Sequence, residues 1–197
     1  MSPADGVVVG PDGVARCPWG TSTPDYVAYH DTEWGRPVHG DAAIFERITL
    51  EAFQSGLSWL TILRKREAFR AAFDGFAIEV VAAYDDADRD RLLADAGIVR
   101  NRAKVAATVT NARAAADLVG AEGDGALDRL VWSFAPPPRP RPRRTGELAA
   151  STPESVALAR ELKRRGFVFV GPTTLYAAMQ AMGLVDDHLA GCQAVAR

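Results

Sequence analysis

An all-α fold is what the sequence predicts. Three observations carry that reading. Residues suited to helix N-caps precede apolar runs spaced at three and four, glycine or proline punctuates those runs, and no segment alternates long enough to pair as a strand. Residues 1–16, rich in Gly, Val and Asp without a period, are expected to form a loose arm. The aromatic, turn-rich stretch "CPWGTSTPDYVAYHDTEWGRPVHG" (17–40) reads as a loop wrapped on the core with room for one short helix. Asp41 caps a helix over 41–56 that Gly56 closes, and Ser58 caps a second over 58–76. Two further helices, 85–97 and 101–119, are joined by the short "GIVR". Thr152 with Pro153 at the first helical position opens a helix over 152–166. "FVFVG" is short and isolated, so it is read as a link, and helices over 172–183 and 186–194 finish the chain. The segment "APPPRPRPRRTGELAASTP" carries four arginines among six prolines. Such a composition cannot form a helix interior, and it is expected to be an extended, exposed linker over 135–151, or a basic arm touching a polyanion.

The 197 residues suit one domain, here residues 17–197 as two helical lobes, and 48% apolar content supports a core without disulfides. No apolar run is long enough to span a bilayer and no signal peptide is read at the N-terminus, so a cytoplasmic protein with reduced thiols is expected. The net charge of −2 gives no general support to nucleic-acid binding, which therefore needs a local basic face.

The chain has only two cysteines and three histidines, and each cysteine has a histidine within reach. His188 and Cys192 are four apart in the expected last helix and so share a face, while Cys17 and His30 lie across a loop that can fold back. Two thiolates and two imidazoles complete a tetrahedral zinc set, although a buried cysteine pair with ordinary histidines fits the spacing too. His39 follows a proline in a polar turn and reads as a surface residue. In the helix from Asp41, Ile44, Ile48 and Glu51 share one stripe, which places a carboxylate on the core face. There it must neutralise, find a cation, or meet a donor on a ligand. Trp19, Tyr26, Tyr29, Trp34 and Trp59 supply flat faces with polar tips near it, which suits a planar, cationic or amine-bearing group. At "DAGIVRNRAK", Gly97, Arg100, Arg102 and Lys104 surround the unpaired amides that open a helix. This is an anion site able to hold a DNA backbone without reading sequence, and equally a plain interhelical turn.

In order along nearly the whole chain, "RCPW", "YVAYHDTEWG", "LEAFQSGLSWLTILRKRE", "DAGIVRNRAK", "VWSF", "KRRGFVFVGPTTLYAAMQAMGLVDDH" and "GC" resemble the DNA-3-methyladenine glycosylase I family. The resemblance implies a helix-hairpin-helix glycosylase architecture whose ends are tied by one structural zinc on Cys17, His30, His188 and Cys192. It implies a base pocket of Glu51, Trp19, Tyr26, Tyr29 and Trp59. The loop Ser55–Trp59, with Gly56 and Leu57, is expected to press into double-stranded DNA where the nucleotide leaves. It also implies a monofunctional N-glycosidase that lacks the catalytic aspartate of other glycosylases of that architecture; a monomer is expected. Three departures stand out: Ala103 in the hairpin where many relatives carry Gly, Phe53 where a polar residue is common, and the proline–arginine segment.

Methylation at N3 makes adenine a cationic leaving group, so strong general-acid help is unnecessary. Glu51 is expected to accept hydrogen bonds from the exocyclic amine of the extruded base, where guanine presents a carbonyl. Two competing classes remain at this stage: a metal-dependent hydrolase centred on the Cys/His set, and a non-enzymatic binder of damaged DNA. Four protein donors leave zinc no open position for water, which argues against the first.

Overall fold

The computed structural model describes residues 6–193, and the chain is helical almost throughout. In chain order the elements are β1 (Val8–Val9), β2 (Ala15–Arg16), α1 (Pro24–Thr32), α2 (Asp41–Gln54), α3 (Trp59–Ala72), α4 (Ile78–Ala82), α5 (Asp86–Ala94), α6 (Arg102–Glu122), α7 (Ala126–Trp132), α8 (Pro153–Arg164) and α9 (Pro172–Ala181). No helix among the described residues is long and apolar enough to cross a membrane.

Local chemistry explains most helix ends. The Thr23, Ser58, Asn101 and Thr152 side chains each accept from the backbone N–H three residues on, so one orphan donor is satisfied at the start of α1, α3, α6 and α8. Asp41 caps elsewhere than the sequence suggests: its carboxylate accepts from Gly125 and Asp128 N–H at 2.8 and 2.9 Å, at the start of α7, and so joins α2 to it. Helix α2 lies at the centre. Its Ile44, Phe45, Ile48, Leu50 and Phe53 are buried, packed among α3, α6, α7 and α9. Fully burying one such side chain stabilises by about 1.5–3 kcal/mol, so the position of α2 is firmly set.

Several expectations need correction. Residues 6–16 are not a loose arm: β1 and β2 form an antiparallel hairpin, Val8 opposite Arg16, and residues 1–5 lie outside the described residues. The helix expected over 58–76 stops at Ala72, where Asp74, Gly75 and Phe76 all take positive φ and turn the chain. The short α4 and α7 were not read from the sequence. Residues 186–193 are not helical. Three of their amides bond outside the segment instead, Leu189 N–H to the Cys17 sulfur (3.3 Å), Ala190 N–H to Pro142 O (2.8 Å) and Gln193 N–H to Ala15 O (2.9 Å). The proline–arginine segment is extended as expected but not free. Arg139 donates to Asp187 (2.8 Å) and Tyr176 (2.6 Å), and Arg141 to Asp186 (2.7 Å), which straps the C-terminal turn to the body. "FVFVG" is indeed a link. The Asn111 amide takes the place of a partner strand, bonding Val168 N–H and C=O at 2.8 and 3.0 Å.

Candidate active site and metal cluster

Between α1, α2, the start of α3 and α9 lies a cavity of about 410 Å³, within the range of small-ligand sites. Trp19, Tyr26, Tyr29, Trp34 and Trp59 form its aromatic walls, and Glu51 and Gln54 present polar groups from α2. Tyr29 and Trp59 lie 5.5 Å apart with planes tilted by 43°, and Trp19 stands edge-on to Tyr26 at 5.7 Å. The Tyr26 hydroxyl accepts from Leu60 N–H at 3.0 Å, which pins the first turn of α3 to α1 and so positions Trp59.

Glu51 is buried, 6% exposed, and none of the described residues donates a hydrogen bond to its carboxyl. Burial pushes its pKa up to about 8, opposed by the positive charge of Arg47. The carboxyl therefore stands in an apolar wall, largely protonated at neutral pH, facing space. Tyr29, beside it, is raised too, first by burial and then by Glu51. Phe53, one of the three departures from the family pattern, does not line the pocket. Phe53 points to the opposite side of α2 and packs on Phe69 at 4.7 Å in the core.

The metal candidates converge. Cys17, His30, His188 and Cys192 are all buried, with one donor atom from each lying within 4.8 Å of the others. Cys192 Sγ is 3.5 Å from His30 Nε2 and 3.6 Å from His188 Nδ1, and Cys17 Sγ is 3.8 Å from His188 Nδ1. A tetrahedral zinc with sulfur at about 2.3 Å and nitrogen at about 2.0–2.1 Å holds unlike donors about 3.6 Å apart, so the spacing fits. The far nitrogens are fixed as metal ligands require: His30 Nδ1–H donates to Asp31 at 2.8 Å, and His188 Nε2–H to the Trp34 carbonyl at 3.2 Å. Arg16 in turn grips Asp31 at 2.7–2.9 Å and Asp12 at 2.7–2.9 Å. The Cys17 thiol is pushed far up, by its bond to Cys192 and then by burial, so both sulfurs could be thiolates here only with a cation between them. A Cβ at Gly20 would lie 2.7 Å from the His30 ring, which leaves glycine as the residue that fits there. His39 is a surface residue, as expected, bonded to Asp128.

A family model described as methyladenine glycosylase matches residues 19–195. The chain belongs to the methyladenine glycosylase family. It is 46% identical over 179 residues to a DNA-3-methyladenine glycosylase 1 of Escherichia coli K12, covering 90% of this chain and 95% of that one. A DNA-3-methyladenine glycosylase of Haemophilus influenzae is 43% identical over 180 residues, covering 90% and 96%. Among solved structures, that of the 3-methyladenine DNA glycosylase I of Staphylococcus aureus, described as giving the basis of 3-methyladenine recognition, superposes with a TM-score of 0.85. It is 35% identical, covering 90% of this chain and 95% of that one.

Against this methyladenine glycosylase background, the residues expected to touch DNA divide. Gly56, at φ +81°, turns the loop so that Leu57 sits at its tip, 41% exposed. Arg100 and Arg102 are exposed at the start of α6. Gly97 packs against α3, where a Cβ would come within 3.1 Å of the Ala68 methyl. Lys104 does something else: its ammonium donates to Phe53 O at 2.8 Å and Ser55 O at 2.6 Å, capping the C-terminal carbonyls of α2 and bracing the Leu57 loop. Sequence reasoning missed Lys65, which donates to Ala96 O and Gly97 O at 2.9 and 3.0 Å and so ties the turn between α5 and α6 to α3. It also missed Leu148, Ala177 and Gln180, which complete the cavity wall. Only the three-residue spacing of Ala177 and Gln180 on α9 hints at a shared face.

Proposed function

We infer that the protein excises 3-methyladenine from alkylated double-stranded DNA, hydrolysing the N-glycosidic bond and leaving an abasic site. The observation that carries the residue assignments is the unpartnered, buried Glu51 carboxyl facing an aromatic-walled cavity. The base must leave the helical stack to reach that cavity, and extrusion costs a few kcal/mol that bound-state contacts offset. Leu57, held at a loop tip by Gly56 and Lys104, fills the gap left in the duplex. Gly97, Arg100 and Arg102 form the hairpin of a helix-hairpin-helix element that holds the phosphate backbone.

In the pocket Trp19, Tyr29 and Trp59 face the methylated ring, which gains cation–π attraction of up to about 2 kcal/mol when desolvated. The cation favours the ionised form of Glu51, so its proton passes to solvent as the base enters, and the carboxylate accepts from the exocyclic amine. Guanine offers a carbonyl there and leaves the carboxylate unpaired, a penalty of about 1–3 kcal/mol. Water then bonds to the sugar carbon as the bond to the purine nitrogen breaks. The bond's electron pair neutralises the methylated base, and the water's proton passes to solvent. Cys17, His30, His188 and Cys192 would hold a zinc ion, which would supply structural linkage between the two ends of the chain. The domain, residues 17–197, works as a monomer in this account.

Incubating the protein with methylated duplex tests the reading. Release of free 3-methyladenine over unmodified adenine and guanine is the expected result, whereas tight binding with no base released would make it a damage binder instead. For the DNA face, Arg100→Ala with Arg102→Ala is expected to lower the slope of log affinity against log salt by about 2, near 0.9 per lost phosphate contact. An unchanged slope in a salt titration removes those arginines from the interface.

A further inference from the structure

Arg47 and Glu51 are one turn apart on α2, a spacing at which arginine and glutamate ordinarily pair. Here they do not hydrogen-bond. Arg47 Nη2 donates instead to Glu33 at 3.3 Å, and its Nη1 is buried with no partner. Glu33, just after α1, also receives the two-pronged grip of Arg66 from α3, at 2.6 and 2.8 Å. One carboxylate thus joins α1, α2 and α3 and takes up both arginines next to the cavity. The two arginine side chains are only 11% and 13% exposed, so water screens them weakly.

We propose that Glu33 is a positioning residue that holds Arg47 back from Glu51, so that the Glu51 carboxyl stays free for the alkylated base instead of closing into an ion pair within α2. This rests on the reading of Glu51 given above. The argument is one of competition. An Arg47–Glu51 pair would be charge-assisted and buried, and an incoming amine would have to break it. Held by Glu33, Arg47 acts on Glu51 only through its field, which favours the ionised form without occupying the oxygens. With Glu33, Arg47 and Arg66 charged, the cluster carries a net positive charge until Glu51 ionises. The titratable and charged groups around Glu51 are Tyr26 and Tyr29 from α1, Glu33 after it, Arg47 from α2 and Arg66 from α3. Toward the cavity, Gln54, Leu148, Ala177 and Gln180 are neutral.

The test follows the Glu51 carboxyl carbon by NMR through a pH titration of the metal-loaded, ligand-free protein, alongside 3-methyladenine affinity from tryptophan fluorescence. In Glu33→Gln, Arg47 is free to close on Glu51. The Glu51 midpoint is expected to fall by about one pH unit or more. The affinity for 3-methyladenine is expected to weaken about tenfold, the worth of one competing hydrogen bond. In Arg47→Met the midpoint is expected to move the other way, upward. In the double variant Glu33→Gln is expected to add little to Arg47→Met alone. A purely structural role for Glu33 gives no such opposed pair of shifts. If Glu33→Gln does not fold, Arg47→Met still decides, because a midpoint that stays or falls overturns the proposal. A Glu33→Gln shift equally large with and without Arg47 overturns it too. Shifts as stated with unchanged affinity support the positioning role and overturn instead the assignment of base binding to Glu51.

Discussion

Cys17→Ala is expected to lower the thermal midpoint by about 10 °C, with chelation of the wild-type protein giving a similar loss. The size follows from what the cluster holds. Residues 186–193 have no regular secondary structure, and Leu189 N–H bonds to the Cys17 sulfur itself. Removing that sulfur, or a cation held by the four donors, leaves buried donors and imidazoles without partners, at about 1–3 kcal/mol for each unsatisfied group. At this chain length a loss of 3–4 kcal/mol corresponds to roughly 10 °C. The consequences reach the cavity through rings: Trp34 contacts His188 at 4.7 Å and Trp19 contacts His30 at 5.2 Å, and both tryptophans also line the pocket. A structural metal therefore predicts residual excision below the lowered midpoint, with a raised KM. Circular dichroism melts with and without chelator, paired with base-release assays well below each midpoint, check this. Activity abolished while the fold stays intact would place the metal in the chemistry.

The parts legible in the sequence are those where one short-range rule decides. Glu51 was readable as a core-facing acid because α2 keeps a clean stripe over Ile44 and Ile48, and the side chain is indeed buried. The four metal candidates were readable because cysteine and histidine are scarce. What failed was decided by contacts between distant segments. The C-terminal turn has a helix-like pattern, but its amides find Cys17 and Pro142, which no local rule anticipates. Helices α4 and α7, of five and seven residues, are too short to show a period. The run Arg64-Lys65-Arg66 looks like a solvated face. Yet Lys65 caps the turn between α5 and α6, and Arg66 is drawn in against Glu33 at the end of α1, contacts that only the tertiary packing sets. Lys104 misled for the converse reason. A cation beside a helix N-terminus suggests phosphate, but the carbonyls ending α2 lie closer.

Glu51→Gln is expected to make the protein more stable in alkali and poorer at excision, and both effects come from one buried proton. Burial raises the Glu51 pKa from 4.5 to about 8, so between those pH values the folded state keeps a proton that the unfolded chain has released. Stability contributed by that proton is whole below about pH 4.5 and declines as pH rises towards 8. The accumulated loss is about 5 kcal/mol, at 1.36 kcal/mol per pH unit. Glutamine carries no charge at any pH and escapes the penalty. The variant should therefore gain several kcal/mol over wild type at pH 9 and little at pH 4. Excision should fall by roughly 10–100-fold, the worth of a hydrogen bond to a charged group, with selectivity for methylated adenine blunted. Denaturant unfolding at both pH values and base-release kinetics measure the two halves separately. A stability difference that does not change with pH would mean that Glu51 holds no such proton, and unchanged selectivity would mean that it does not read the base. The stability lost through this acid is what a site must give up to keep an unpaired carboxyl, free to ionise against a cation, in an apolar wall.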